Sequence, residues 1–138
     1  MKKSIIYAVS TFIAMIILLG CNVGAKTVTG TISVYDGNGV YTQGDACSTV
    51  GSSYEDVGVG TDVVVNNSDG AIVGVGKLEA GIAEGQYRCR FRFTLEVKDG
   101  EVYTFAFGDR RVGLIYSRAE MEEKGWSVYF SIGGYYDE

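Results

Sequence analysis

A run of strict alternation from Gln86 to Val97 restricts the fold of this chain more than any other feature. Tyr87, Cys89, Phe91, Phe93, Leu95 and Val97 fall on one side, and Arg88, Arg90, Arg92, Thr94 and Glu96 on the other. A period of two describes a strand with one face on a core and one face in water. Whatever this chain builds must supply a partner for an aromatic strip and leave an arginine ladder in solvent.

Shorter runs repeat the pattern. From Lys26 to Tyr35, Val28, Ile32 and Val34 oppose Thr29, Thr31 and Ser33, before a turn at Asp36-Gly37-Asn38-Gly39. Thr61–Val65 and Ala71–Leu78 flank Asn66–Gly70 in the manner of a hairpin. Arg111–Ser117 places Val112, Leu114 and Tyr116 on one face, and Trp126, Val128, Phe130 and Ile132 alternate with Ser127, Tyr129 and Ser131. Between these last two runs, Ser117 and Glu120 match a capping box, and Gly125 after Lys124 marks a helix stop. Gln43–Gly60 and Glu79–Gly85 read as loops. With no proline in the chain, glycine must supply the tight turns. The pattern predicts an all-β fold: a seven-stranded antiparallel β-sandwich, immunoglobulin-like or transthyretin-like, with one short helix before the last strand.

The strand from Glu101 to Gly108 poses a register choice. A two-residue turn at Asp99-Gly100 sends Tyr103, Phe105 and Phe107 to the arginine face. A three-residue turn over Lys98–Gly100, with Gly100 left-handed, sets Leu95, Phe93 and Phe91 opposite Tyr103, Phe105 and Phe107. Burying one Phe is worth roughly 1.5–3 kcal/mol, more than the difference between turn types. The second choice is preferred, with the aromatics inside.

The N-terminus carries a different signal. Met1-Lys2-Lys3 precedes an apolar run from Ile5 to Leu19, then Gly20-Cys21. A basic start, a greasy core and a small residue before the cut describe a secretory signal peptide. The run falls short of the roughly 20 residues a spanning helix needs, and Ser10 and Thr11 interrupt it. Leu18-Leu19-Gly20-Cys21 resembles the lipobox of bacterial lipoproteins, with Leu19 bulkier than the residue often found there. That resemblance implies cleavage after residue 20 and lipidation at Cys21. It also implies a tether over 21–25, a domain over 26–138, and attachment to the extracytoplasmic face of the cell membrane through the lipid. With Cys21 lipidated, Cys47 and Cys89 remain as a pair outside the cytoplasm, where a disulfide is the expected state.

Cys47, Tyr54-Glu55-Asp56-Val57, Gly60-Thr61-Asp62-Val63, Cys89-Arg90-Phe91-Arg92-Phe93, Tyr116-Ser117 and Trp126-Ser127-Val128 together resemble a family of small exported bacterial lipoproteins of Gram-positive, especially actinobacterial, type. The resemblance spans most of the domain and supports the β-sandwich and the Cys47–Cys89 bridge. The chain departs from the family pattern at Ser52-Ser53, where glycines precede the tyrosine, and at Met121, where leucine is usual. No catalytic or binding residue carries over from it.

Candidate chemistry is sparse. The chain has no histidine for a triad or a zinc site, and no thiol is left once lipid and disulfide are assigned. No cofactor or metal is expected. Asp36–Gly39 begins like a calcium loop, but Val40 stands where the next oxygen ligand belongs, and Gly74-Val75-Gly76-Lys77-Leu78 lacks the hydroxyl of a phosphate loop. A formal net charge of −5 without a basic run argues against nucleic acid. Arg88, Arg90 and Arg92 are candidates for an anion-binding strip, or else a solvated face paired with Glu96 and Glu101. Tyr129, Tyr135 and Tyr136 are candidates for stacking on sugars or anchoring an interface. The leading expectation is a non-catalytic module that binds an envelope protein or glycan. A second is a hydrolase inhibitor that uses the loop 43–60 with Tyr54, and a third is a hydrolase built on acidic residues such as Glu55 and Asp56.

Overall fold

The computed structural model describes residues 24–134, and for 111–113 the backbone alone. The stretch expected to be a signal peptide, Cys21, most of the expected tether, Tyr135 and Tyr136 lie outside the described residues. Ten strands and one helix follow in order: β1 (Lys26–Tyr35), β2 (Tyr41–Gln43), β3 (Ala46–Ser48), β4 (Asp62–Asn66), β5 (Ile72–Lys77), β6 (Gly81–Ala83), β7 (Arg88–Val97), β8 (Val102–Phe107), β9 (Arg110–Ser117), α1 (Arg118–Glu123) and β10 (Ser127–Ile132). They form a six-stranded sheet in the order β10-β1-β7-β6-β3-β2 and a four-stranded sheet in the order β5-β4-β8-β9.

The fold is all-β with one short helix before the last strand, as the alternation requires. Two finer expectations need correction. There are ten strands among the described residues, not seven, because β3 and β6 lie in stretches read as loops and β2 falls between the turn at 36–39 and the loop that begins at Gln43. Each is three residues long, too short to display a period of two, and each exists only through its neighbours: β2 on β3, β3 on β6, β6 on β7. The sheets are also not wholly antiparallel, since β10 runs parallel to β1, with Thr31 beside Tyr129 and Ile32 beside Phe130. The chain reaches β10 from β9 in the other sheet by way of α1, so no hairpin forces the antiparallel direction.

The expected hairpin of β7 with β8 does not form, and Gly100 is not left-handed. β7 pairs instead with β1 along its whole length, from Lys26 opposite Val97 to Tyr35 opposite Arg88. β8 pairs with β4 and β9 in the second sheet. Tyr103, Phe105 and Phe107 are nevertheless fully buried, because they meet β7 across the interior. The Phe93 ring lies 6.4 Å from Phe105 and 5.7 Å from Phe107, and Phe130 of β10 lies 5.1 Å from both. Burial of the aromatics is correct; its geometry is face to face, not side by side.

At one corner the sheets approach closely. Gly74 and Gly76 of β5 lie on the second half of β7, where an added Cβ would come within 2.7 Å of the Glu96 carbonyl oxygen or 2.8 Å of Leu95 Cβ. Lys98 N–H donates to the Val73 carbonyl and Glu79 N–H to that of Arg92. The absence of side chains at 74 and 76 lets β5 cover part of the strand edge that β6 leaves open. A register shift between Thr104 and Ala106 leaves Leu114 exposed, while Tyr116, expected on the same face, packs against Phe105 and Phe130.

The Cys47–Cys89 disulfide joins β3 to β7 over a separation of 42 residues. Both strands belong to the six-stranded sheet, so the bridge staples the short β2–β3 hairpin to the long central strand. The capping box is present as expected: Ser117 accepts from the Glu120 N–H, and the Glu120 carboxylate accepts from the Ser117 N–H at 2.7 Å.

Candidate functional site

The outer face of the six-stranded sheet gathers most of the residues singled out from sequence. Three strands lie side by side there, β10, β1 and β7, and their registers place side chains in rows. Ser127, Thr29 and Thr94 make one row, Tyr129, Thr31 and Arg92 the next, and Ser131, Ser33 and Arg90 the third. Tyr35 and Arg88 stand opposite each other beyond them. Alternation on each strand produces this face automatically, since the partner residues point into the core.

The three ladder arginines are not equivalent. Arg88 and Arg90 share the carboxylate of Glu84, with Arg90 Nη1 2.7 Å from Oε1. Arg88 Nη1 also donates to the Tyr35 hydroxyl at 2.7 Å, and its guanidinium lies 5.4 Å from that ring's centre. The hydrogen bond to Tyr35 raises the Arg88 pKa, with Glu84 and the phenols of Tyr35 and Tyr129 adding to the effect. Arg92 is exposed, and its guanidinium has no ion pair or hydrogen bond among the described residues. The partners expected for the ladder, Glu96 and Glu101, do not pair with it; Glu84 does, four residues before Arg88 on the turn that leads into β7.

Arg92 lines an open groove of about 770 Å³ whose walls include Thr94, Thr29, Thr31, Ser127 and Tyr129. Glu79 is its carboxylate, and Lys124 and Tyr116 complete one side, with the Lys124 ammonium 6.0 Å from the Tyr116 ring centre. Tyr129 is 53% exposed, which leaves part of its ring available within the groove. In the adjoining row, Ser33 Oγ and Arg90 Nε are buried without a hydrogen-bond partner. Ser33 was expected on the wet face; it lies on that face but is covered completely. Hydroxyls with a free guanidinium and a half-exposed phenol can hold hydroxylated or oxyanionic ligands. The threonine and serine rows were visible as alternation but carried no sign of function until three strands set them side by side.

Tyr54 takes no part in this face. Its ring packs against the core cluster and lies under Arg110, whose guanidinium carbon is 4.9 Å from the ring centre. Arg110 grips both Asp56 carboxylate oxygens, with Nη2 at 2.8 Å from Oδ1, and donates to the Ser53 carbonyl. This hydrogen bonding holds the Asp56 pKa below its ordinary value and raises that of Arg110. The exposed apolar residues nearby are instead Val50 and Val59. Glu55 is exposed, and the buried carboxylate among the described residues is Asp36, which accepts from the N–H groups of Asn38 and Ser53 and ties the two loops together. No buried carboxylate pair and no metal-type cluster occurs among the described residues.

The fold and the site define an all-β domain of two sheets with a hydroxyl-lined groove on the larger one. No protein family, no curated protein and no solved structure matches the chain.

Proposed function

We propose that this protein is a lipid-anchored, non-catalytic binding module on the extracytoplasmic face of the membrane, and that the outer face of its six-stranded sheet receives a sugar-rich polymer of the cell envelope. The observation that carries this reading is the groove in which Arg92, Tyr129 and two rows of hydroxyls converge. A half-exposed ring offers an apolar surface to a sugar ring, and hydroxyls exchange hydrogen bonds with sugar hydroxyls as both donors and acceptors. The lipobox-like sequence ending at Cys21 and the disulfide support the address. Within this reading the sheets form a β-sandwich, immunoglobulin-like or transthyretin-like in having two layers. The bridge within one sheet departs from the inter-sheet disulfide of antibody domains.

Co-sedimentation of the unlipidated Cys21→Ser form with isolated cell envelope tests the ligand independently of the anchor. The protein is expected in the pellet, and Tyr129→Ala combined with Thr31→Val is expected to release it; equal retention of both forms would overturn the reading. Metabolic labelling with an acyl precursor tests the anchor, which Cys21→Ser should abolish. A second reading, a hydrolase inhibitor acting through the loop 43–60, is favoured by Val50, 75% exposed. It predicts loss of inhibition in Val50→Asp, and an empty screen against lysozymes and proteases counts against it.

A further inference from the structure

We propose that the groove selects an anionic polymer, a chain of sugar or polyol units bearing oxyanions, and that Arg92 is the residue that holds the anion. The inference rests on the groove being the binding site and adds the sign of the ligand's charge.

Three observations lead to it. First, the ladder divides its labour: Arg88 and Arg90 are occupied by Glu84, while Arg92 faces solvent with its guanidinium unpaired among the described residues. Its cross-strand neighbour is Thr31, and Thr94 stands two residues on, so hydroxyls border it. An unpaired guanidinium presents two parallel N–H groups, the geometry that suits a carboxylate or a phosphate. Second, Lys124 joins Arg92 in the groove and Glu79 opposes them, so cations outnumber carboxylates there. The chain as a whole carries −5, so this groove opposes the sign of the net charge. An acidic ligand is repelled elsewhere and steered here. Third, Arg92 and Tyr129 share one row but lie two strands apart, about 10 Å at ordinary strand spacing. A ligand that stacks on the phenol and reaches the guanidinium is longer than a single small anion. Two or more linked sugar or polyol units span that distance, as a segment of polymer does.

Isothermal titration of the full-length protein in detergent, with polygalacturonate, poly(glycerol phosphate) and neutral dextran as probes, tests the proposal. At least one charged polymer is expected to bind, more weakly as salt is added, and Arg92→Gln is expected to weaken binding roughly tenfold or more. Tyr129→Ala should weaken it as well. Arg92 is exposed, so circular dichroism and the melting temperature of Arg92→Gln should match the parent. Binding of polygalacturonate alone identifies a carboxylate source, and binding of poly(glycerol phosphate) alone a phosphodiester source. Dextran binding that equals the charged polymers, resists Arg92→Gln and falls with Tyr129→Ala would overturn the anion selection while sustaining the groove as a glycan site. Absence of binding to all three, or binding untouched by both substitutions, would overturn both.

Discussion

Replacing Gly30 by alanine tests the packing of the whole interior with one carbon. Gly30 sits mid-strand in β1 with no left-handed backbone, so alanine meets no conformational barrier there. Judged by strand preference alone, the change should stabilise by about 0.5–1 kcal/mol, since glycine loses the most freedom on folding. The interior reverses that sign. A Cβ at position 30 would lie 2.2 Å from Cζ of Phe93 and 2.6 Å from Cε1, where carbon contacts need about 3.5–4.0 Å. The ring would have to retreat by more than 1 Å. Phe107, Phe105 and Phe130 hold it at centroid distances of 5.7, 6.4 and 6.4 Å. Overpacking of this kind costs roughly 1–3 kcal/mol, and the closed far side puts Gly30→Ala near the upper end. The net loss is about 2 kcal/mol, or a fall in Tm of roughly 10 °C for a domain of this length. Urea unfolding followed by circular dichroism measures it. A double-mutant cycle with Phe93→Leu should show the pair less destabilised than the sum of the singles by about 1 kcal/mol or more. A neutral or stabilising Gly30→Ala with an additive cycle would refute the account of the core.

Other consequences follow from single contacts. Removing the disulfide as Cys47→Ser with Cys89→Ser frees a loop spanning 42 residues, which the chain-entropy argument values at about 4 kcal/mol, so Tm should fall by roughly 20 °C; a shift of only a few degrees would mean the hairpin is held by other contacts. Asp56 is held below its ordinary pKa by Arg110, so near pH 4 the unfolded chain binds more protons than the folded one and stability rises with pH. The contribution is complete above the ordinary carboxylate range and disappears as pH falls through the depressed folded pKa; Asp56→Asn should flatten that limb of an acid titration followed by fluorescence. Ser117→Ala removes the side-chain half of the capping box, leaving the Ser117 N–H on the Glu120 carboxylate, and should cost about 0.5–2 kcal/mol in chemical denaturation, with α1 losing amide protection first.

Much of the architecture was readable before any coordinate, because alternation is local. The phases of β1, β7 and β10 follow from which residues are apolar, and burial of Phe91, Phe93 and Phe130 on one side with Arg92 and Tyr129 on the other repeats that phase. The helix cap was readable for the same reason, since its partners are three residues apart. What alternation does not encode is which strand lies beside which. β7 and β8 follow each other through a short turn and read as a hairpin, yet they sit in different sheets, because β7 gains a ten-residue partner in β1 and the aromatics of β8 can still reach it from across the interior. The three-residue strands, the parallel β10 and the choice of Glu84 over Glu96 are likewise properties of neighbours distant in sequence or of turns without a period. The groove belongs to the same class. Its arginine, tyrosine and threonines were each visible on their own strands, and only the order β10-β1-β7 placed them in one row, because hydrogen-bonded register is decided between chains of contacts and not along one.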